Sequence, residues 1–85
     1  MYVVKARSPF TKTLEDVVNK ICRETGAECV KEGEWFVIPV ENGEYARYVA
    51  YVLTRAFQRR MLYAYGVPYQ VMLIDVKVEQ LNSDT

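Results

Sequence analysis

The chain contains no histidine. That absence excludes an imidazole general base, a Ser-His or Cys-His nucleophile pair and any His-bearing zinc site. Cysteine is nearly as scarce: Cys22 and Cys29 are the two present, too few for the disulfide framework of small secreted proteins. No apolar run approaches the roughly 20 residues that a bilayer span requires. The opening residues, Met-Tyr-Val-Val-Lys-Ala-Arg, hold no apolar targeting core, so a cytoplasmic location without a membrane segment is expected. Glutamine and asparagine occur three times each, beside frequent Glu, Arg, Val and Tyr, a balance that leans towards thermostable proteins. Excess charge is also missing. Eleven basic residues meet eleven acidic ones, which argues against a uniformly basic surface.

What is present organises into six elements. Residues 2–7 are β-prone and end at Ser8-Pro9. Thr13 with Asp16 resembles a capping box, and Leu14, Val17, Val18 and Ile21 follow at helical spacing up to Gly26, which predicts a helix over 13–25. Residues 27–31 and 34–40 read as two strands around a Glu32-Gly33 turn. That register sets Lys31 against Glu34, Val30 against Trp35, Cys29 against Phe36 and Glu28 against Val37. A long helix is expected over 44–65, closed by Gly66 and Pro68, and a last strand over 69–79. Residues 80–85 read as a frayed tail.

The order β-α-β-β-α-β over 1–79 predicts one α+β domain of ferredoxin-like type, a four-stranded antiparallel sheet with two helices on one face. Many functions share that topology, so function must be argued from surfaces.

The second helix is the most informative segment. Arg47, Arg55, Arg59 and Arg60 lie in a stretch from 45 to 65 that has no acid and five of the seven tyrosines. The net neutrality is therefore a cancellation between blocks, with residues 13–44 strongly acidic. On a helical wheel Ala46, Val49, Ala50, Leu53, Phe57, Met61 and Ala64 form the inner stripe. Tyr48, Tyr51, Arg55, Arg59 and Leu62 fall opposite. Three uses of that outer stripe stay open: a solvated face, a protein contact, or nucleic-acid binding by Arg on phosphates and Tyr on bases. Arg60 falls on the inner side, so it must reach past the sheet or meet an acid. A helix of about 22 residues also outruns short strands, so Met61, Leu62, Tyr63 and Tyr65 are expected to overhang as a contact turn.

Strand alternation assigns Val3, Lys5, Arg7, Val30, Trp35, Val37, Val71, Leu73, Asp75 and Lys77 to the open sheet face, an apolar set for a face left in water. Met1-Tyr2-Val3-Val4 and Gly33-Glu34-Trp35-Phe36-Val37 superficially resemble the first- and third-strand motifs of the RNA-recognition-motif family. The Gly/aromatic alternation of that family is absent, and the same parity sends Tyr2 and Phe36 into the core. Burial against a partner or a second copy is the better expectation for this face.

The first loop, Arg7 to Thr13, offers Arg7, Lys12 and hydroxyls at a helix start. Acylphosphatases share the topology and bind phosphate there, but their glycine-bearing loop is not reproduced, which leaves a phosphoryl- or acyl-group enzyme the least favoured reading. For the cysteines a disulfide across the short turn and two reduced, buried thiols are both open, with the reduced pair expected.

The expected function is a non-enzymatic interaction or assembly protein, a homodimer or part of a larger assembly. It would use Trp35, Val37, Val3 and Leu73 on the sheet with Met61, Leu62 and Tyr63 at the helix end. The alternative is nucleic-acid binding by Arg47, Tyr48, Tyr51, Arg55 and Arg59 with Lys5 and Arg7. No catalytic residue, cofactor or metal is expected.

Overall fold

A computed structural model describes residues 1–81. Its elements are β1 (Tyr2–Arg7), α1 (Thr11–Thr25), β2 (Val30–Glu32), β3 (Trp35–Val40), α2 (Gly43–Tyr65) and β4 (Asp75–Gln80). The four strands form one sheet in the order β2-β3-β1-β4, and every neighbouring pair is antiparallel. Strands β1 and β2 therefore run parallel with β3 between them, and β3 and β4 run parallel with β1 between them.

One sheet face carries Val4, Ala6, Phe36, Ile38 and Val40 into the core. Leu14, Val17, Val18 and Ile21 of α1 and Ala46, Val49, Leu53, Phe57 and Met61 of α2 complete it. Both helices thus pack on the same side. Asn42 caps α2 by accepting the Tyr45 N–H at 2.8 Å. Gly66, at φ +70°, closes it with an N–H to the Leu62 carbonyl.

Several expected boundaries move. Helix α1 starts at Thr11 instead of Thr13, because Ser8 accepts the Phe10 N–H at 3.0 Å and Thr11 donates to the Ser8 carbonyl at 3.3 Å. The hairpin turn is Gly33-Glu34, with Gly33 at φ +62° in the first turn position, where a two-residue turn demands a left-handed residue. Lys31 then faces Phe36 and Val30 faces Val37. This slip is an even number of residues, so each β2 side chain keeps its expected face.

The brevity of β2 has a cause in its neighbour. The backbone of Val37 pairs towards β2, and so would that of Pro39 two residues on, opposite Glu28. Proline has no N–H to give, and the ladder stops at Val30. Strand β4 is shorter than expected too. Residues 66–74 fold back on α2 as a loop, where buried Gln58 donates to the Tyr69 carbonyl at 3.2 Å and to Met72 Sδ at 3.0 Å. This loop packs over Phe57, Gln58 and Met61 and leaves Leu62, Tyr63 and Tyr65 at the end of α2 exposed. At the other end β4 runs on: Gln80 pairs with Tyr2, and the Leu81 N–H donates to the Met1 carbonyl at 2.9 Å. The rest of the expected tail, 82–85, lies outside the described residues.

Cys22 and Cys29 form a disulfide, which corrects the expected reduced pair. Gly26 at φ +74° turns the chain back after α1, and this brings the two Cα atoms to 6.2 Å, within bridging range. Among the described residues no helix is long and apolar enough to cross a membrane.

Candidate binding surfaces

The open sheet face centres on Trp35. Three cations lie over its ring, Arg7 at 4.5 Å, Lys77 at 4.7 Å and Lys5 at 5.7 Å from the centroid. Each is also matched by carboxylates. Arg7 meets Asp75 at 3.0 Å and also Glu34, while Glu79 meets Lys77 at 3.1 Å and Lys5 at 3.7 Å. The hydrogen bond from Lys77 holds the Glu79 carboxyl below its ordinary value near 4.5; desolvation opposes it, and the charges of Lys5 and Lys77 add to the lowering. Hydrogen bonds to Asp75 and then Glu34 push the Arg7 guanidinium above its ordinary value.

These long side chains cover the strand beneath them. Val3 and Val37 retain 7 % exposure each. The bare apolar face expected from alternation is in fact a charged lattice over a tryptophan. Its ordering comes from register, since β1 and β4 set Arg7 opposite Asp75 and Val3 opposite Glu79. Leu73 is not part of it. It lies in the loop before β4, half-buried against the core.

The outer face of α2 is different. Tyr48, Tyr51 and Tyr63 are 60 %, 62 % and 80 % exposed, with Tyr45, Leu62 and Tyr65 also in solvent. The Tyr45 and Tyr48 rings stack at 6.1 Å. Arg55 lies between Tyr51 at 6.0 Å and Tyr69 at 4.8 Å, a partner from the following loop that alternation had placed in a strand. Among the described residues, Arg47, Arg55 and Arg59 have no carboxylate within ion-pair distance. Arg60 does, meeting Asp16 of α1 at 4.0 Å, which answers its inward place on the wheel. Met61 is buried in the core, so the expected contact turn reduces to Leu62, Tyr63 and Tyr65.

The structure therefore keeps Tyr48, Tyr51, Arg55 and Arg59 on one surface and separates them from Lys5 and Arg7, which lie on the opposite face of the sheet. Gln58 escaped the sequence reading. A polar residue flanking a helical stripe reads as solvated, and its partners sit in an irregular loop that no periodicity marks.

The first loop borders a cleft of about 480 Å³ lined by Arg7, Ser8, Thr11, Glu34, Leu73 and Asp75. Its groups are already engaged. Ser8 Oγ donates to the Leu73 carbonyl at 2.6 Å, Arg7 holds two carboxylates, and Lys12 lies 3.5 Å from Asp16 and 3.8 Å from Glu15. Among the described residues no three His, Cys, Asp or Glu side chains stand together as a metal set. Compared with known protein families, with curated proteins and with solved structures, the chain matches none.

Proposed function

We propose that the chain is a non-enzymatic binding module of the ferredoxin-like class that engages a nucleic acid through the outer face of α2. The class assignment is supported by the β-α-β-β-α-β order, with β1 and β2 parallel around β3 and both helices on one side. The function rests on one observation: among the described residues Arg55 and Arg59 stand without carboxylate partners beside exposed Tyr48 and Tyr51 on a single helix face, with Arg47, likewise unpaired, on its flank. Guanidinium groups left uncompensated suit phosphates, and flat rings between them suit bases. A second copy is a poor match for this stripe, because a two-fold contact across its middle sets arginine against arginine.

Fluorescence anisotropy with labelled single- and double-stranded oligonucleotides tests it. Binding should weaken with salt, with a log–log slope of about −2 to −3 for three phosphate contacts. An Arg55→Ser, Arg59→Ser double variant with unchanged circular dichroism should lose most of the affinity. No anisotropy change at low salt for either oligonucleotide overturns the proposal.

A second reading, self-association or protein docking, is supported by Leu62, Tyr63 and Tyr65 exposed together at the end of α2. The sheet face adds less to it, since Val3 and Val37 are already covered. Leu62→Glu with Tyr63→Glu should abolish any oligomer formed there, and an unchanged mass in light scattering removes this reading.

A further inference from the structure

The sheet has two edges, and they are not alike. The β2 edge is three residues long and stops at Val30, two residues short of the position that would face Pro39. The β4 edge is six residues long, with neither proline nor a bulge in its pairing to β1, the kind of edge that invites strand addition.

The hydrogen-bond phase of β4 follows from one contact. The Leu81 N–H donates to the Met1 carbonyl, and antiparallel ladders alternate between bonded and non-bonded pairs. Odd-numbered residues of β4 therefore bond to β1, and Val76, Val78 and Gln80 aim their N–H and C=O groups outward. Among the described residues no backbone bond reaches these groups.

Charge on the open face carries the same information. Lys5 and Lys77 are direct cross-strand partners, a like-charge pair that is unfavourable in itself. Among the described residues Glu79 alone bridges the two lysines; on the other side of Lys77 the sheet ends, so a second carboxylate has room to join the pair there.

We propose that a second copy of this chain fills that edge, with β4 pairing antiparallel to β4 about Val78, and the two sheets joining into one of eight strands. In this register Val78 bonds to Val78 of the second copy and Val76 bonds to Gln80, so every outward backbone group of the strand is satisfied. The non-bonded pairs between them, where side chains stand closest, set Lys77 against Glu79 in both directions. The contact is self-complementary in hydrogen bonding and in charge, as a two-fold interface requires. The two-fold axis stands perpendicular to the sheet, so both helical layers lie on one side. This inference does not rest on nucleic-acid binding and uses no residue of α2.

Light scattering should give a mass about twice 9.9 kDa. Val78→Pro removes an outward N–H without touching the bonds to β1, so it should halve the mass while the circular dichroism spectrum stays folded. Lys77→Glu sets Glu against Glu twice and should raise the dissociation constant about tenfold. Adding Glu79→Lys to that variant should restore the dimer. A monomeric wild-type protein overturns the proposal. So does a dimer that survives Val78→Pro, or one that the double charge exchange fails to restore.

Discussion

The two faces of this small domain carry the same residue types to opposite ends. The open sheet face holds three cations and a tryptophan, and the outer face of α2 holds three arginines and a row of tyrosines. On the sheet, strand register places Asp75, Glu79 and the hairpin residue Glu34 within reach of every cation. On the helix no acid occurs between Tyr45 and Tyr65, and among the described residues α1 supplies a carboxylate to Arg60 alone. Charge and aromaticity alone do not make a binding surface. What differs is whether the fold has already spent the charges on itself.

That comparison is open to attack, starting with the ring beneath the cations. Trp35→Ala should destabilise the protein by about 3 kcal/mol in chemical denaturation, through lost apolar burial and lost cation–π contacts. The equivalent change on the other face, Tyr51→Ala, should stay within about 0.5 kcal/mol while lowering nucleic-acid affinity several-fold. If the two costs are equal, the sheet face is not the self-satisfied one.

The next largest effect concerns what frames the sheet. Cys22→Ser with Cys29→Ser opens a closed loop of eight residues and should cost about 2 kcal/mol, read as a lower denaturation midpoint. Binding through α2 should be unchanged in that variant, because the bridge joins α1 to the residues before β2 and touches none of Tyr48, Tyr51, Arg55 and Arg59.

The smallest effect is a pH signature confined to the sheet face. Glu79 has a folded-state pKa below its ordinary value, so its ion pairs contribute stability above about 4.5 that is lost as pH falls through the folded value. Glu79→Gln should remove that part of the pH dependence while leaving the rest of the acid-denaturation curve. An identical curve in the variant would show that the lattice over Trp35 contributes nothing to folding. On α2, Arg55→Gln should leave the acid limb unmoved, since among the described residues no carboxylate faces Arg55.

Much of this architecture is legible in one dimension. The inner stripe of α2 follows from 3.6-residue spacing, and Gly66 marks its end because its backbone tolerates positive φ; the Asn42 cap at its start is seen only in the fold. The alternation of β1 and β3 places Val4, Ala6, Phe36 and Ile38 inside and Trp35 outside. Strand β4 departs from its pattern where the alternation is clearest. Residues 69–74 alternate well enough for a strand, yet Gln58 holds Tyr69 and Met72 in a loop. The disulfide is not legible in the spacing of seven, because closeness across the turn depends on the left-handed Gly26.

The candidate surfaces divide along the same line. Periodicity alone determined that Tyr48, Tyr51, Arg55 and Arg59 share a helix face, because residues on one helix carry their own geometry. It also determined that no histidine chemistry operates here. Which cations remain unpaired was decided only by tertiary structure, since Arg7 meets Asp75 across 68 positions of chain and Arg60 meets Asp16 across two helices. An ion pair depends on distance in space, and sequence neighbours cannot report it when its partners come from different strands.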